Sequence, residues 1–234
     1  MLTRVTYRRR SWHVLRACEL VACAFVALLT GGTAVAAPLL HYRLDPDSSR
    51  IRIRTGSSGV FGFAGHEHEI DAPRFTGTAV IDSADVTKVQ LSLSVPTDSM
   101  RVIDEDESPE TRAKVERAMH EQVLEVQRFP TVTIRGLTFG PNGDEPGHPG
   151  PALAADLAGE LVIELTIHGV TRPLALPVDI QVDRARLRAR GKFPIRHQDF
   201  DLKRIKVGGV VNVAETITIE FDLRGTCLGP EPPK

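Results

Sequence analysis

The residues of this chain best equipped for chemistry are His66-Glu67-His68-Glu69. In an extended segment the two histidines project to one face and both can reach a single metal ion. A third ligand would have to come from His120, His168 or His197. The helical zinc pattern His-Glu-x-x-His is not met here, because position 70 is Ile70; His120-Glu121 fails in the same way at Leu124. A cupin-like His-x-His arrangement wants a glycine six residues earlier and finds Val60. Two histidines in a polar loop more often act as hydrogen-bonding rim groups than as ligands, so a metal-binding protein or metalloenzyme built on His66 and His68 is the alternative reading. His168 sits in a tight turn, where a turn-stabilising hydrogen bond is the plain expectation. His197 beside Asp199 reads as a structural pair or a polar rim. The sequence holds no Gly-x-Ser-x-Gly elbow and no phosphate-cradling loop, and past the first 36 residues it has no Cys-His pair. No catalytic residue and no cofactor is expected.

The N-terminus reads as an export signal. Arg4, Arg8, Arg9 and Arg10 form a basic start, Leu20 to Leu29 an apolar run, and Ala34-Val35-Ala36 a small-x-small cleavage site. The run is shorter than the roughly 20 residues of a permanent span, so residues 1–36 are expected to be cleaved, leaving no integral membrane segment in a periplasmic protein. Arg9-Arg10 hints at twin-arginine export, but the residues that follow fit poorly. Leu20-Val21-Ala22-Cys23 resembles a lipoprotein box; most of the apolar run follows it instead of preceding it, and anchoring is the minority reading.

The remaining 198 residues carry 24 basic and 29 acidic side chains, a net charge of −5. Nothing in that balance points to nucleic acid or anionic headgroups. Cys227 is the only cysteine left, so no internal disulfide is expected. Residues 226–234, rich in Pro and Gly, are expected to fray.

The elements that must position any site are strands. From His41 onward the apolar period is two: Ile51 and Ile53; Val89, Leu91, Leu93 and Val95; Leu157 through Ile167; Leu174 through Val182; Leu187 through Ile195; Ile217 through Leu223. Each row is apolar on one face and polar on the other, as half-buried antiparallel strands require. With shorter rows near Phe61, Phe75 and Val132, eight or nine strands suit an all-β barrel or sandwich. One segment departs from this. Ser108 can cap a helix, Pro109 fits its first turn, and Val115, Met119 and Val123 recur every four residues. A helix over 109–126 is predicted, packed on the outside or across the mouth of the sheet, with the acidic run Asp104 to Glu107 at its start. Gly159 and Gly191 fall on inward rows, where they either leave room or mark a bulge.

Several ordered stretches together resemble the YceI-like family from about 41 to 225. They are Leu44-Asp45-Pro46-Asp47-Ser48-Ser49-Arg50-Ile51, Arg74-Phe75-Thr76-Gly77, Phe129-Pro130-Thr131-Val132-Thr133-Ile134, the hairpin Leu165 to Pro173 with its His-Gly-Val-Thr-Arg-Pro turn, Asp199-Phe200-Asp201-Leu202, and Glu215 to Leu223. The resemblance implies an antiparallel, lipocalin-like β-barrel of about eight strands in the periplasm, holding a long isoprenoid chain and catalysing nothing. The His-Glu-His loop departs from the commoner family pattern and resembles a side branch. An eight-stranded barrel is wide enough to hold one small ligand, and rows of Leu, Ile and Val would make its cavity apolar. The expected lining is Phe61, Phe63, Leu91, Leu93, Leu161, Ile163, Leu165, Leu176, Val178, Phe193, Ile219 and Phe221, with His66, His68 and Arg172 near a headgroup. The expected partner is an isoprenoid or other long-chain lipid. Edge strands cannot be placed from sequence, which leaves monomer and homodimer both open.

Overall fold

The computed structural model describes residues 39–57, 67–85, 87–142, 154–203, 206–207, 210–211 and 213–230. The expected export signal, Phe61, Phe63 and His66 lie outside the described residues.

Among the described residues thirteen strands form in chain order: β1 (Leu39–Leu44), β2 (Arg50–Ser57), β3 (His68–Asp71), β4 (Thr76–Asp82), β5 (Val89–Pro96), β6 (Arg101–Val102), β7 (Thr131–Pro141), β8 (Ala154–Ile167), β9 (Val170–Asp183), β10 (Arg186–Arg196), β11 (Lys206–Val207), β12 (Val210–Val211) and β13 (Val213–Pro230). Eight of them close a ring in the order β1-β4-β5-β7-β8-β9-β10-β13, with β13 returning to β1. Every ladder in it is antiparallel. This is the barrel expected from the alternating rows.

The remaining sheet strands complete the same wall. Both β1 and β2 lie along one edge of β13, where Leu44 faces Gly225 and Arg50 faces Asp222. Then β3 pairs with β2 as β4 pairs with β1, and β6 pairs with β3 as β5 pairs with β4. Three neighbouring staves are thus each broken in two. The first break is a polar turn in which the Asp45 carboxylate accepts from the Ser48 hydroxyl (2.7 Å) and the Asp47 amide (3.1 Å); these bonds hold its pKa below the usual carboxylate value, the Ser48 bond most.

Alternation decides what fills the barrel. Leu161, Ile163, Leu165 and Ile167 of β8 are all buried while Glu160 is exposed and Glu164 only partly covered. Two aliphatic rows facing each other across a ring remove a continuous apolar surface from water, the dominant favourable term in folding.

The helix begins where expected: Ser108 accepts from the Thr111 amide (3.2 Å) and Pro109 occupies the first turn. α1 (Pro109–Ala118) is shorter than 109–126, because the chain widens into a π-turn over Met119–Val123, closed by Leu124 N–H to Met119 C=O at 2.9 Å. Glu125, with φ +46, ends it.

Two expectations need correcting. The chain does not fray at Thr226: β13 runs on to Pro230, since β1 supplies a partner edge, with Tyr42 opposite Cys227. Only residues 231–234 of the expected tail lie outside the described part. Nor do Gly159 and Gly191 leave room. A Cβ on Gly159 would sit 2.3 Å from the Gly140 carbonyl and 2.7 Å from the Phe139 ring; one on Gly191 would sit 2.6 Å from both the Phe221 ring and the Pro177 carbonyl. Neighbouring aromatic rings occupy the space that the missing side chains vacate.

Candidate functional site

The barrel encloses a cavity of about 210 Å3 whose walls are almost wholly aliphatic. One water needs roughly 10–15 Å3 by the same measure, so the void is well beyond a packing defect. It is also slender, below the ~300 Å3 at which pockets for compact drug-sized ligands begin. Its walls run from Leu187 to Ile195 along β10 alone, about 27 Å of strand at 3.4 Å per residue. A long, thin, dry space fits a chain better than a disc.

Leu91, Leu93, Leu161, Ile163, Leu165, Leu176, Val178, Phe193, Ile219 and Phe221 all face this cavity, as does His68. Arg172 does not. It lies opposite Leu165 on the inward row of β9, but at the exposed end of the wall, where its Nε donates to the Asp199 carbonyl (2.9 Å). Alternation tells which side of a strand a residue takes, not where the wall stops. The largest omission is the roof. Val115, Met119 and Val123 of the helical segment line the cavity together with Leu124, so the helix lies across the mouth. The π-turn lets this short segment bury Met119 and Leu124 at 7% and 9% exposure.

Among the described residues, the polar side chains that meet the cavity are Thr55, His68, His197 and Lys203. His68 Nδ1 is 2.6 Å from a carboxylate oxygen of Asp104, whose other oxygen accepts from the Glu69 amide at 2.6 Å. The Asp104 side chain is 8% exposed, so one residue of the acidic run ahead of the helix orients an imidazole instead of serving the helix terminus. With Nδ1 engaged there, Nε2 is the ring nitrogen left to meet a ligand. The Lys203 ammonium, at the same end, donates to Glu125 at 2.7 Å, and this bond chiefly holds the Glu125 pKa down.

The other histidines are dispersed. His120 Nε2 meets the Met100 carbonyl (3.0 Å) and His197 Nδ1 the Glu215 carbonyl (3.1 Å), while Asp199 pairs with Arg196 instead of His197. His168 and Gly169 both take positive φ, +52 and +77, the conformation of a type I′ hairpin turn. The His168 ring makes no turn-stabilising bond. It is buried, stacks on Phe129 (centroids 4.1 Å apart), and its Nε2 lies 3.5 Å from Glu125. Among the described residues no three His, Cys, Asp or Glu side chains converge as metal ligands. No helix among them is long and apolar enough to cross a membrane.

Comparison with known proteins agrees with this geometry. The chain is similar in fold to BcnA of Burkholderia cenocepacia (TM-score 0.54, 16% identity, covering 77% of this chain and 98% of that one). It is likewise similar to a polyisoprenoid-binding domain from Saccharophagus degradans implicated in plant cell wall breakdown (TM-score 0.56, 15% identity, covering 80% of this chain and 99% of that one). No curated protein matches the sequence. The family model for the YceI-like domain matches residues 42–225. From barrel, cavity and that match together, the chain belongs to the YceI-like family.

Proposed function

We propose that this protein is an exported, periplasmic carrier that sequesters an amphipathic isoprenoid-type lipid without chemically changing it. The observation that carries the reading is a slender aliphatic cavity running most of the barrel's length, with polar side chains confined to one end. Such a space rewards a hydrocarbon chain and rejects anything polar along its length, because an unpaired polar group buried there would cost several kcal/mol. Burying about 400 Å2 of tail at ~25 cal/mol per Å2 supplies on the order of 10 kcal/mol, and an ordering cost of about 4 kcal/mol leaves binding in the tens of micromolar from the tail alone. At the mouth, His68 Nε2, oriented by Asp104, and Lys203 are the groups placed to meet a headgroup. The fold suggests lipid binding independently, since one similar solved domain is described as polyisoprenoid-binding.

The test is solvent extraction of the purified protein followed by mass spectrometry. A prenyl lipid near one equivalent per chain is expected. Repeated recovery of none, together with no uptake of added prenyl alcohols, would remove the reading. Export is tested separately: protein recovered from the periplasmic fraction should begin at residue 37.

A further inference from the structure

The barrel wall has one edge along which the sequence thins the hydrogen-bond ladder. β8 and β9 pair over fourteen consecutive residues, but β9 and β10 pair over only five, from Leu187 opposite Val182 to Gly191 opposite Val178. Beyond that point Leu174 to Pro177 and Lys192 to Arg196 form a slit in the ladder, side by side without reciprocal pairs, each still zipped to its other neighbour.

The direction of each backbone group explains why. The Ala158 carbonyl accepts from the Asn142 amide on the β7 side. Even-numbered β8 residues therefore point away from β9, and their odd-numbered β9 partners point toward β10. On the other flank the Arg224 carbonyl accepts from the Asp45 amide, so even-numbered β13 residues point away from β10, and even-numbered β10 residues point toward β9. Continuing the register past Gly191 would form three hydrogen-bonded pairs: Pro177 with Lys192, Ala175 with Pro194, and Pro173 with Arg196. Each contains a proline whose missing N–H faces the seam. A proline removes a ladder donor, and here one is placed at every rung. The Pro177 carbonyl lies close over Gly191 at the last paired position, and from there the slit runs to the mouth end.

What fills the slit is a side chain on a short turn. His197–Phe200 forms a 3-10 turn directly after β10, and Phe200, 1% exposed, sits in a groove with Pro173, Leu174, Pro194 and Ile195. Ile195 lines both this groove and the internal cavity, so groove and cavity share a wall at that side chain. The turn is fastened at its rim. Arg172 donates to the Asp199 carbonyl, and Arg196 grips the Asp199 carboxylate through two 3.0 Å bonds. These bonds are solvent-exposed, and exposed ion pairs hold weakly.

We propose that the β9–β10 slit is a lateral portal through which a hydrocarbon chain enters and leaves the cavity sideways, with Phe200 as its plug. The proposal rests on the lipid-carrier reading above. A tail that threaded the roofed mouth end-on would have to displace Met119 and Leu124; through the slit it lies down along its length while its headgroup stays at the mouth.

The test restores the rungs. A Pro173→Thr, Pro177→Val, Pro194→Thr variant is compared with the unaltered protein by amide exchange and by stopped-flow uptake of a dansyl-labelled prenyl alcohol. In the unaltered protein the Ala175 and Lys192 amides should exchange far faster than those of β8. In the variant they should become protected, and uptake and release should both slow about tenfold or more at nearly unchanged affinity, as for binding gated by a conformational step. Phe200→Ala should speed both. Uptake at the original rate through a protected seam overturns the portal alone. A seam that stays unprotected overturns the claim that proline keeps it open. No uptake by the unaltered protein, with its exchange pattern as described, removes the lipid reading and the portal with it.

Discussion

The barrel has two unlike halves. One side is built of long strands, β7 through β10 and β13, of 11 to 18 residues. The other is built of β1/β2, β3/β4 and β5/β6, none longer than eight. The long side supplies more of the aliphatic lining than the broken side does. At the mouth end the broken side presents Thr55 and His68, and Asp104 holds His68. Uninterrupted alternation keeps the wall apolar; polar groups reach the cavity only where strands end, Thr55 and His68 on the broken side and His197 just past β10 on the long one, among the described residues.

The comparison can be tested by perturbing each side. The largest effect should come from the long side. Leu165 is 1% exposed, and Leu165→Ala is expected to cost about 2–5 kcal/mol, lowering Tm by about 5–15 °C in a thermal melt. Leu137, 43% exposed on β7, is the control: Leu137→Ala should stay within about 0.5 kcal/mol. On the broken side, Asp104→Ala removes the acceptor of the Glu69 amide and of His68, and should cost about 1–3 kcal/mol by denaturant melt. His68→Ala should cost less stability, and headgroup selectivity should register the change. A drop as large as that of Leu165→Ala would mean that His68 serves packing instead.

Tyr42, at the far end from the mouth, donates to the Asp183 carbonyl at 2.6 Å, and burial, more than the nearby Cys227 and Asp183, pushes its pKa well above the ordinary phenol value. Tyr42→Phe should cost about 1 kcal/mol by the same melt.

The smallest effect is electrostatic. Two hydrogen bonds from Arg188 chiefly hold the Asp222 carboxyl below the usual carboxylate value. A folded-state pKa below the unfolded one stabilises above the unfolded pKa, near 3.9, and that contribution vanishes as pH falls through the lower folded value. Asp222→Asn should therefore lose about 1 kcal/mol or less at neutral pH, and the two proteins should converge in acid.

How legible this was depends on what alternation can carry. The rows from Leu157 to Ile167 and from Leu174 to Val182 exposed both the strands and their inward faces, because a period of two is a direct image of a one-sided burial. The helix start was readable from Ser108 and Pro109. Its π-turn was not, since a spacing of four at Val115, Met119 and Val123 is compatible with either winding. Gly159 and Gly191 were ambiguous because a glycine records that space is needed and not what takes it. Arg172 misled because it obeys the inward parity opposite Leu165, yet it is exposed and bonds outward to the Asp199 carbonyl. The continuation past Thr226 was invisible for another reason: its partner is β1, at the opposite end of the sequence, and nothing local encodes that pairing. The family resemblance rested on separated stretches, several of which now have structural roles. Asp199 and Phe200 fasten and fill the slit, and Asp45 to Ser49 make the first break.

The most direct measurement of the central claim is a titration of the purified, delipidated protein with a fluorescent prenyl alcohol, beside a variant whose cavity is filled by Ala189→Phe. Saturable binding at one chain per protein, weakened about tenfold or more by the filling substitution while the fold is kept, is the predicted result. Equal binding by both proteins would place the lipid elsewhere than the barrel interior and contradict the account.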